Sequence, residues 1–332
     1  MQITLLKAGL LSTIQDLGRI DYLAQAVPLS GAMDTLSARL ANIAIGNSPT
    51  DALIEFSYGN ASFICNTPVL IAYGGNGAKW FINNEKLPSL RPLFLPKGTE
   101  VTLKNSENGA RSYLAIAGGW DLPLILNSRS TYLPANLGGY QGRSLKKDDV
   151  LSSCNKLTGA AERILKSLEG NKVEFPRWAI HEASFKALNK TSVRIIRGRE
   201  SAWFSDNSMV NFLNEAFTIN LNSNRMGIHL TGPVIKRLHS TELLSTAVCA
   251  GTIQVTGDGN MILLMADSQT TGGYPRIAQV AMVDLPICAQ LKPGDEIRFT
   301  EISQSEAERL YFEREKDLAK LALAIQTIDF TK

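Results

Sequence analysis

Short alternations of apolar and polar residues, broken every few positions by Gly, Pro or Asn, fill most of this chain. This period of two predicts strands over Val69–Tyr73, Trp80–Asn83, Val101–Lys104 and Ser112–Ala117, with Asn83-Asn84 as a hairpin turn. The second half repeats the style at Val193–Arg197, Thr252–Val255, Met261–Met265, Gln279–Val283 and Glu296–Thr300. Gly257-Asp258-Gly259-Asn260 is the strongest turn signal and joins two of those strands. Helical spacing is scarce. Asp34 can cap a helix over Thr35–Ile45, where Leu36, Leu40, Ile43 and Ala44 share a face and Gly46 ends the element. Ala160–Leu168 predicts a short helix, and Ser305 to Ile325 a longer one, with Ser305 and Glu308 spaced as a capping box. The mixed charge of that last helix places it on the surface of the second half.

Length changes the picture next. At 332 residues the chain exceeds the usual size of one hydrophobic core, so two domains are expected, residues 1–190 and 191–332. A faint internal echo agrees: Leu95–Leu103 and Leu291–Phe299 each run from a Pro/Gly turn into Glu and an alternating strand. Charged residues make up 20% of the chain and its formal charge is +3, too small and too evenly spread to call for a nucleic-acid partner. Cys65, Cys154, Cys249 and Cys288 lack metal-ligand spacing and read as reduced, mostly buried thiols. The N-terminal MQITLLKAGLL is not a secretory leader, and no apolar run approaches the roughly 18 residues that span a bilayer. These features point to the cytoplasm and away from a membrane.

Familiar catalytic motifs are missing. Gly74–Lys79 falls short of a phosphate loop because Trp80 follows its lysine, so it reads first as a turn between strands. No GxSxG elbow occurs, and His181, His229 and His239 have no metal spacing; all three read as solvated, His229 on a strand. No metal site is expected. Neutral polar loops remain. Gln269-Thr270-Thr271-Gly272-Gly273-Tyr274-Pro275 carries no charge, and its glycines let backbone amides approach a ligand. Val27–Asp34 runs Ser30 and Gly31 into a helix N-terminus, where free amides suit an anion, while Asp34 fits the N-cap. Arg129 in Asn127–Thr131 and Arg143 in Gly138–Arg143 each put a guanidinium among small residues, open to an oxyanion or to a nearby acid. Arg225, between Asn224 and Met226-Gly227, is either an anion clamp or a structural ion pair.

In this order the segments GLLSTIQDLGR, VPLSGAMD, RLANIAIGN, RSYLAIAGG, SRSTY, GGYQGRSLK, NRMGIHLTG, GTIQV, DSQTTGGYPRIAQV and KPGDEIRF resemble one family over nearly the full length. It is the biotin-dependent carboxyltransferase family, also labelled allophanate hydrolase subunit 2, which includes 5-oxoprolinase C subunits of the KipA type. Asn224 departs from the family pattern, which commonly has Asp there.

The resemblance implies a mainly β fold of two cyclophilin-like barrel domains with a few helices. It also implies a 5-oxoprolinase role beside a KipI-type B subunit and, more loosely, an A subunit. B and C together would phosphorylate 5-oxoproline with ATP and Mg before A opens the ring to glutamate. On that model Arg225, Gln269, Thr271 and Tyr274 are the catalytic candidates. Ser30, Gly31, Asp34, Arg129, Arg143, Thr270, Gly272 and Gly273 are the candidates for holding substrate or nucleotide. Two alternatives are a biotin-linked carboxyltransferase of the urea carboxylase type, which needs a separate carrier, and a non-catalytic partner of a KipI-type kinase inhibitor.

Overall fold

The computed structural model describes residues 1–185, 191–239 and 243–327. The chain divides into two compact units. One comprises Met1–Gly18, Asp34–Phe185 and the chain from Glu315 onward; the other comprises Arg19–Met33 and the stretch between Phe185 and Glu315.

The first unit holds strands β1 (Gln2–Ala8), β2 (Leu11–Gln15), β3 (Leu53–Ser57), β4 (Ala61–Cys65), β5 (Val69–Gly75) and β6 (Ala78–Ile82). It continues with β7 (Glu85–Lys86), β8 (Leu93–Leu95), β9 (Glu100–Asn105), β10 (Arg111–Ile116) and β11 (Val150–Ser152). They form a six-stranded sheet, β11-β1-β4-β9-β6-β7, and a five-stranded sheet, β2-β3-β10-β5-β8. Alternate residues of both sheets share one core that includes Ile3, Leu5, Ile54, Phe56, Phe63, Ile71, Trp80 and Leu114. Trp80 of one sheet stacks on Tyr73 of the other with ring centres 4.4 Å apart and meets Phe56 edge-on at 5.9 Å. Such pairs add about 0.5–1.5 kcal/mol each beyond area burial. Asn83 and Asn84 both take the left-handed conformation, φ 49° and 68°, making the expected hairpin turn between β6 and β7.

Helix α1 (Thr35–Ala44) covers the five-stranded sheet: Leu36, Leu40 and Ile43 cluster with Leu70 and with Ala72 and Ala115, two alanines whose small side chains admit a helix closely. Ala161 and Ile164 of α2 (Gly159–Leu168) extend the same cluster.

The second unit holds β12 (Ser192–Arg197), β13 (Phe217–Ile219), β14 (Gly227–Thr231), β15 (Thr246–Ala247) and β16 (Thr252–Val255). It adds β17 (Met261–Leu264), β18 (Thr271–Gly272), β19 (Arg276–Val280) and β20 (Glu296–Glu301). Seven of these close a barrel in the order β12-β19-β16-β17-β14-β13-β20, while β15 and β18 make a separate two-stranded ribbon. Many inward positions are β-branched or aromatic, among them Val193, Ile195, Ile253, Val255, Ile277, Ile297 and Phe299. Three helices join it: α3 (Asp206–Asn214), α4 (Leu285–Gln290) and the start of α5 (Gln304–Thr327). The expectation of a mainly β chain with few helices, including a barrel, holds.

Several local expectations need correction. The strand expected over Gln279–Val283 runs instead from Arg276 to Val280, because Ala281 to Asp284 turn, with the Asp284 amide donating to the Ala281 carbonyl at 2.8 Å. The cap of α5 is Ser303, two residues earlier than expected; its hydroxyl accepts from the Glu306 amide at 3.2 Å. Nor does α5 belong wholly to the second half. Ala307, Leu310 and Tyr311 pack with Ala281 and Val283, whereas Leu318 and Ile325 join the α1 cluster of the first unit. Glu315 there receives both terminal nitrogens of Arg39 at 2.7 and 2.8 Å. An apolar stripe at Leu318, Leu321 and Ile325, hidden among charges, dictates that packing. Helices α3 and α4, nine and six residues long, were too short for the periodicity to reveal. The expected domain limit at residues 190 and 191 falls at the margin of the described residues, and Arg19–Met33, expected in the first half, belongs to the second unit.

Candidate functional site

The uncharged loop after β17 is held at its root by an ion pair. Arg225 Nε donates to Asp267 Oδ2 at 2.8 Å and Nη2 to Oδ1 at 3.0 Å, while the Asp267 amide returns a bond to the Arg225 carbonyl at 2.9 Å. Nη2 also donates to the Gly31 carbonyl at 2.6 Å. Arg225 and Asp267 are only 6% and 4% exposed, so this guanidinium is the structural pair of the two alternatives rather than an open clamp. Its effect is positional: it ties the root of the polar loop to the Ser30–Gly31 segment. Asn224, where the family commonly has an acid, accepts the Met226 amide at 2.7 Å and so shapes the turn that presents Arg225.

Beyond Asp267 the loop projects as a ribbon. Thr271 and Gly272 pair with Ala247 and Thr246, and the Val248 amide donates to the Thr270 carbonyl at 3.0 Å. A Cβ at Gly272 would lie 2.5 Å from Gln254 Nε2, so a larger residue would have to push that amide aside where the ribbon rests on the barrel. Gln254, itself buried, donates from Nε2 to the Tyr274 carbonyl at 3.2 Å. Gln269, Thr271 and Gly273 are exposed, and Tyr274 is 47% exposed.

Ser30 is the unusual residue of the neighbouring segment. It sits in the left-handed region at φ 56°, followed by Gly31 at 87°, and is 2% exposed. Its hydroxyl has no hydrogen-bond partner among the described residues. A strained, buried and unsatisfied serine costs stability on two counts, a pattern concentrated at functional sites.

The other candidates lie in the first unit. Asp34 is the N-cap of α1: Oδ1 accepts the Ser37 amide at 2.9 Å and Oδ2 the Ser37 hydroxyl at 2.6 Å, so its carboxylate is committed to the helix. Its own amide donates to the Tyr113 hydroxyl at 2.7 Å, and burial pushes that phenol well above its usual range. Arg143 is likewise committed, with both terminal nitrogens 2.7 Å from the oxygens of Asp149 and its guanidinium 5.0 Å from the Tyr140 ring centre.

Arg129 differs. Nε donates to the Leu122 carbonyl at 2.9 Å, leaving its terminal nitrogens without an ion pair among the described residues. Its backbone is pinned by Asp16, a residue the motif reading missed. Asp16 accepts from the Arg129 amide at 2.6 Å, the Ser128 hydroxyl at 2.7 Å, the Ser130 hydroxyl at 2.5 Å and the Gly18 amide at 2.8 Å. Asp at position i with Gly two residues on is the available sequence signal, since it marks a side chain that caps its own turn. Sequence reading also passed over Gln15 and Thr131, both fully buried, whose Oε1 and Oγ1 lack partners among the described residues.

The structure therefore places Arg225, Gly31 and the root of the Gln269–Tyr274 loop together in one unit, and Asp34, Arg129 and Arg143 in the other. Among the described residues no three or more His, Cys, Asp or Glu side chains are grouped to hold a metal ion, and no helix is long and apolar enough to cross a membrane.

Comparison with known proteins fits this architecture. The 5-oxoprolinase C subunit of Escherichia coli is 32% identical over 96% of this chain and 97% of its own length. The Haemophilus influenzae protein of the same name is 31% identical over 90% and 91%. Urea amidolyase of Saccharomyces cerevisiae is 31% identical, but the chain spans only 17% of its length. Among solved structures, the Kluyveromyces lactis urea carboxylase superposes with a TM-score of 0.85 at 28% identity, covering 96% of this chain and 29% of that one. Residues 25–301 match the model of the carboxyltransferase domain, subdomain A and B, and the chain belongs to that family.

Proposed function

We propose that this chain is the C subunit of an ATP-dependent 5-oxoprolinase and completes, with a B-type subunit, a site that phosphorylates 5-oxoproline. The observation that carries this reading is identity of 32% running along 96% of this chain and 97% of a 5-oxoprolinase C subunit. In the reaction the lactam oxygen attacks the γ-phosphorus of ATP, the bond to the β-phosphate oxygen breaks and ADP leaves. Such a transfer needs acceptor positioning and positive charge near the moving phosphoryl group.

Of the arginines considered, Arg129 keeps terminal nitrogens available for an oxyanion, while Arg225 and Arg143 serve their own carboxylates. Gln269, Thr271 and Tyr274 supply neutral donors and acceptors suited to a lactam, and Ser30 supplies a hydroxyl still seeking a partner. Arg225 acts by holding the loop. ATP enters with Mg as cosubstrate, and the remaining A subunit opens the ring.

Mixing the purified chain with B and A subunits and measuring phosphate release checks this: release should depend on both 5-oxoproline and the chain. A second reading is favoured by the superposition on urea carboxylase at a TM-score of 0.85. There the chain moves a carboxyl group from carboxybiotin, on a separate carrier, to an amide nitrogen. Activity only with a biotinylated carrier would replace the first reading with the second.

A further inference from the structure

On the second unit's barrel, His229 of β14 lies in register with Ile262 of β17, and Ile262 in register with Gln254 of β16. Their chain neighbours Ile228, Leu263 and Ile253 belong to the core, so strand alternation turns this row to the outer face. The ribbon β15–β18 rests on Gln254, and between ribbon and barrel wall lies a groove of about 800 Å³. His229, Ile262, Arg237, Leu243, Tyr274 and the turn residue Asp258 line it. That volume falls within the range of roughly 300–1,000 Å³ typical of small-molecule sites.

Three polar side chains of the groove, those of Arg237, His229 and Tyr274, are not used by the fold among the described residues. Three buried or half-buried arginines of this unit have an acid each: Arg194 has Asp284, Arg225 has Asp267 and Arg276 has Glu200. Arg237, half-buried against the turn at Gly257, has no ion pair or side-chain hydrogen bond among the described residues. The His229 ring and the Tyr274 hydroxyl have none either. A guanidinium drawn partly out of water without a counter-charge is unfavourable, and an incoming oxyanion relieves it. Asp258 carries the opposing charge, but it is exposed on its turn, where solvent screens it; Arg237 sets the sign a ligand meets at close range. Ile262, Leu243 and the exposed Tyr274 ring supply apolar surface beside that charge.

We infer that this groove binds an organic anion, with a carboxylate or phosphate oxyanion on Arg237 and the carbon body over Ile262, Leu243 and Tyr274. His229 and Tyr274 are the additional donors. The inference stands on the groove and takes from the proposed function only the choice of two probes, 5-oxoproline for a carboxylate source and ATP for a phosphate source.

Calorimetric titration of the full chain with each probe, and with inorganic phosphate alone, tests it. One organic anion should bind saturably, and Arg237→Gln should weaken it about tenfold or more, the loss expected for one charge-assisted bond. Ile262→Ser should weaken it several-fold, and replacement of the exposed Arg199 by Gln should leave it unchanged. Thermal melting of Arg237→Gln should match the parent, since Arg237 makes no side-chain bond within the described chain. No saturable binding of either organic probe, binding indifferent to Arg237→Gln, or phosphate alone binding as tightly as the organic anions would overturn the inference. Binding without turnover in the reconstituted complex would retire the enzymatic reading and leave the groove standing. Turnover with a KM untouched by Arg237→Gln, and no binding, would do the reverse.

Discussion

Ser30 concentrates the conflict between stability and use in this molecule. A left-handed backbone costs a non-glycine residue about 1–2 kcal/mol, and an unsatisfied buried hydroxyl roughly 1–3 kcal/mol. Ser30→Ala should therefore stabilise the chain by about 1 kcal/mol, and Ser30→Gly by about 1 kcal/mol more, both read from urea unfolding. Both should slow phosphate release in the complex with B and A subunits. A less stable Ser30→Ala chain would mean that the hydroxyl already has a partner. At Asp267 the direction reverses. Asp267→Asn leaves the buried Arg225 without its counter-charge and should cost about 3–5 kcal/mol, with looser ribbon amides in hydrogen exchange. Sequence alone flagged Ser30 and Arg225 by their polar company but could not choose between clamp and ion pair. The deciding acid stands 42 residues further along the chain. Arg237 gave no signal, because its significance is the absence of a partner in space.

Elements were legible where one physical cause dominates. Strand alternation, the Asn83-Asn84 turn and the Asp34 cap are local effects; the turn and the cap appear where expected, and of the strands the one expected at Gln279–Val283 is displaced. The echoed Pro/Gly turns also take the same form: Gly98 and Gly294 are both left-handed, φ 83° and 90°, and each opens a strand beginning with Glu. Elements held by tertiary partners were not legible, as with the far end of α5 and the ribbon that glycine lets settle on Gln254. Glycine matters again in the Gly138–Arg143 loop. A Cβ at Gly139 would stand 1.9 Å from Thr131 Oγ1 on a backbone at φ 56°, so Gly139→Ala should cost about 1–3 kcal/mol and lower the melting temperature.

The tie between Glu200, just after β12, and β19 carries a pH signature. Arg276 donates to Glu200 at 2.7 and 2.6 Å, and that hydrogen bonding holds the Glu200 carboxyl below the ordinary value of about 4.5. Because the folded-state value is depressed, its stabilisation is present above the unfolded value near 4.5 and is lost as pH falls through the lower folded value. Glu200→Gln should flatten the fall in stability over that acidic window, measured by denaturant midpoints at successive pH values.

At the scale of the whole molecule, the alternating pattern predicted β structure, which is present, and the chain divides into two compact units. What length could not predict is which segments each core recruits. Arg19–Met33 brings Met33 into the second core, and the C-terminal helix returns Leu318 and Ile325 to the first. Contiguous halves are the simplest guess for a chain, yet apolar stripes find burial wherever the backbone carries them.

The barrel closes on β20, which pairs in parallel with β12 and antiparallel with β13, joining Val193 to Phe299 across more than a hundred positions. During synthesis, therefore, no closed cylinder can exist until Glu301 has left the ribosome. Until then two bare strand flanks stand open, and a nascent chain stalled before Glu296 is the form most prone to pair with its neighbours.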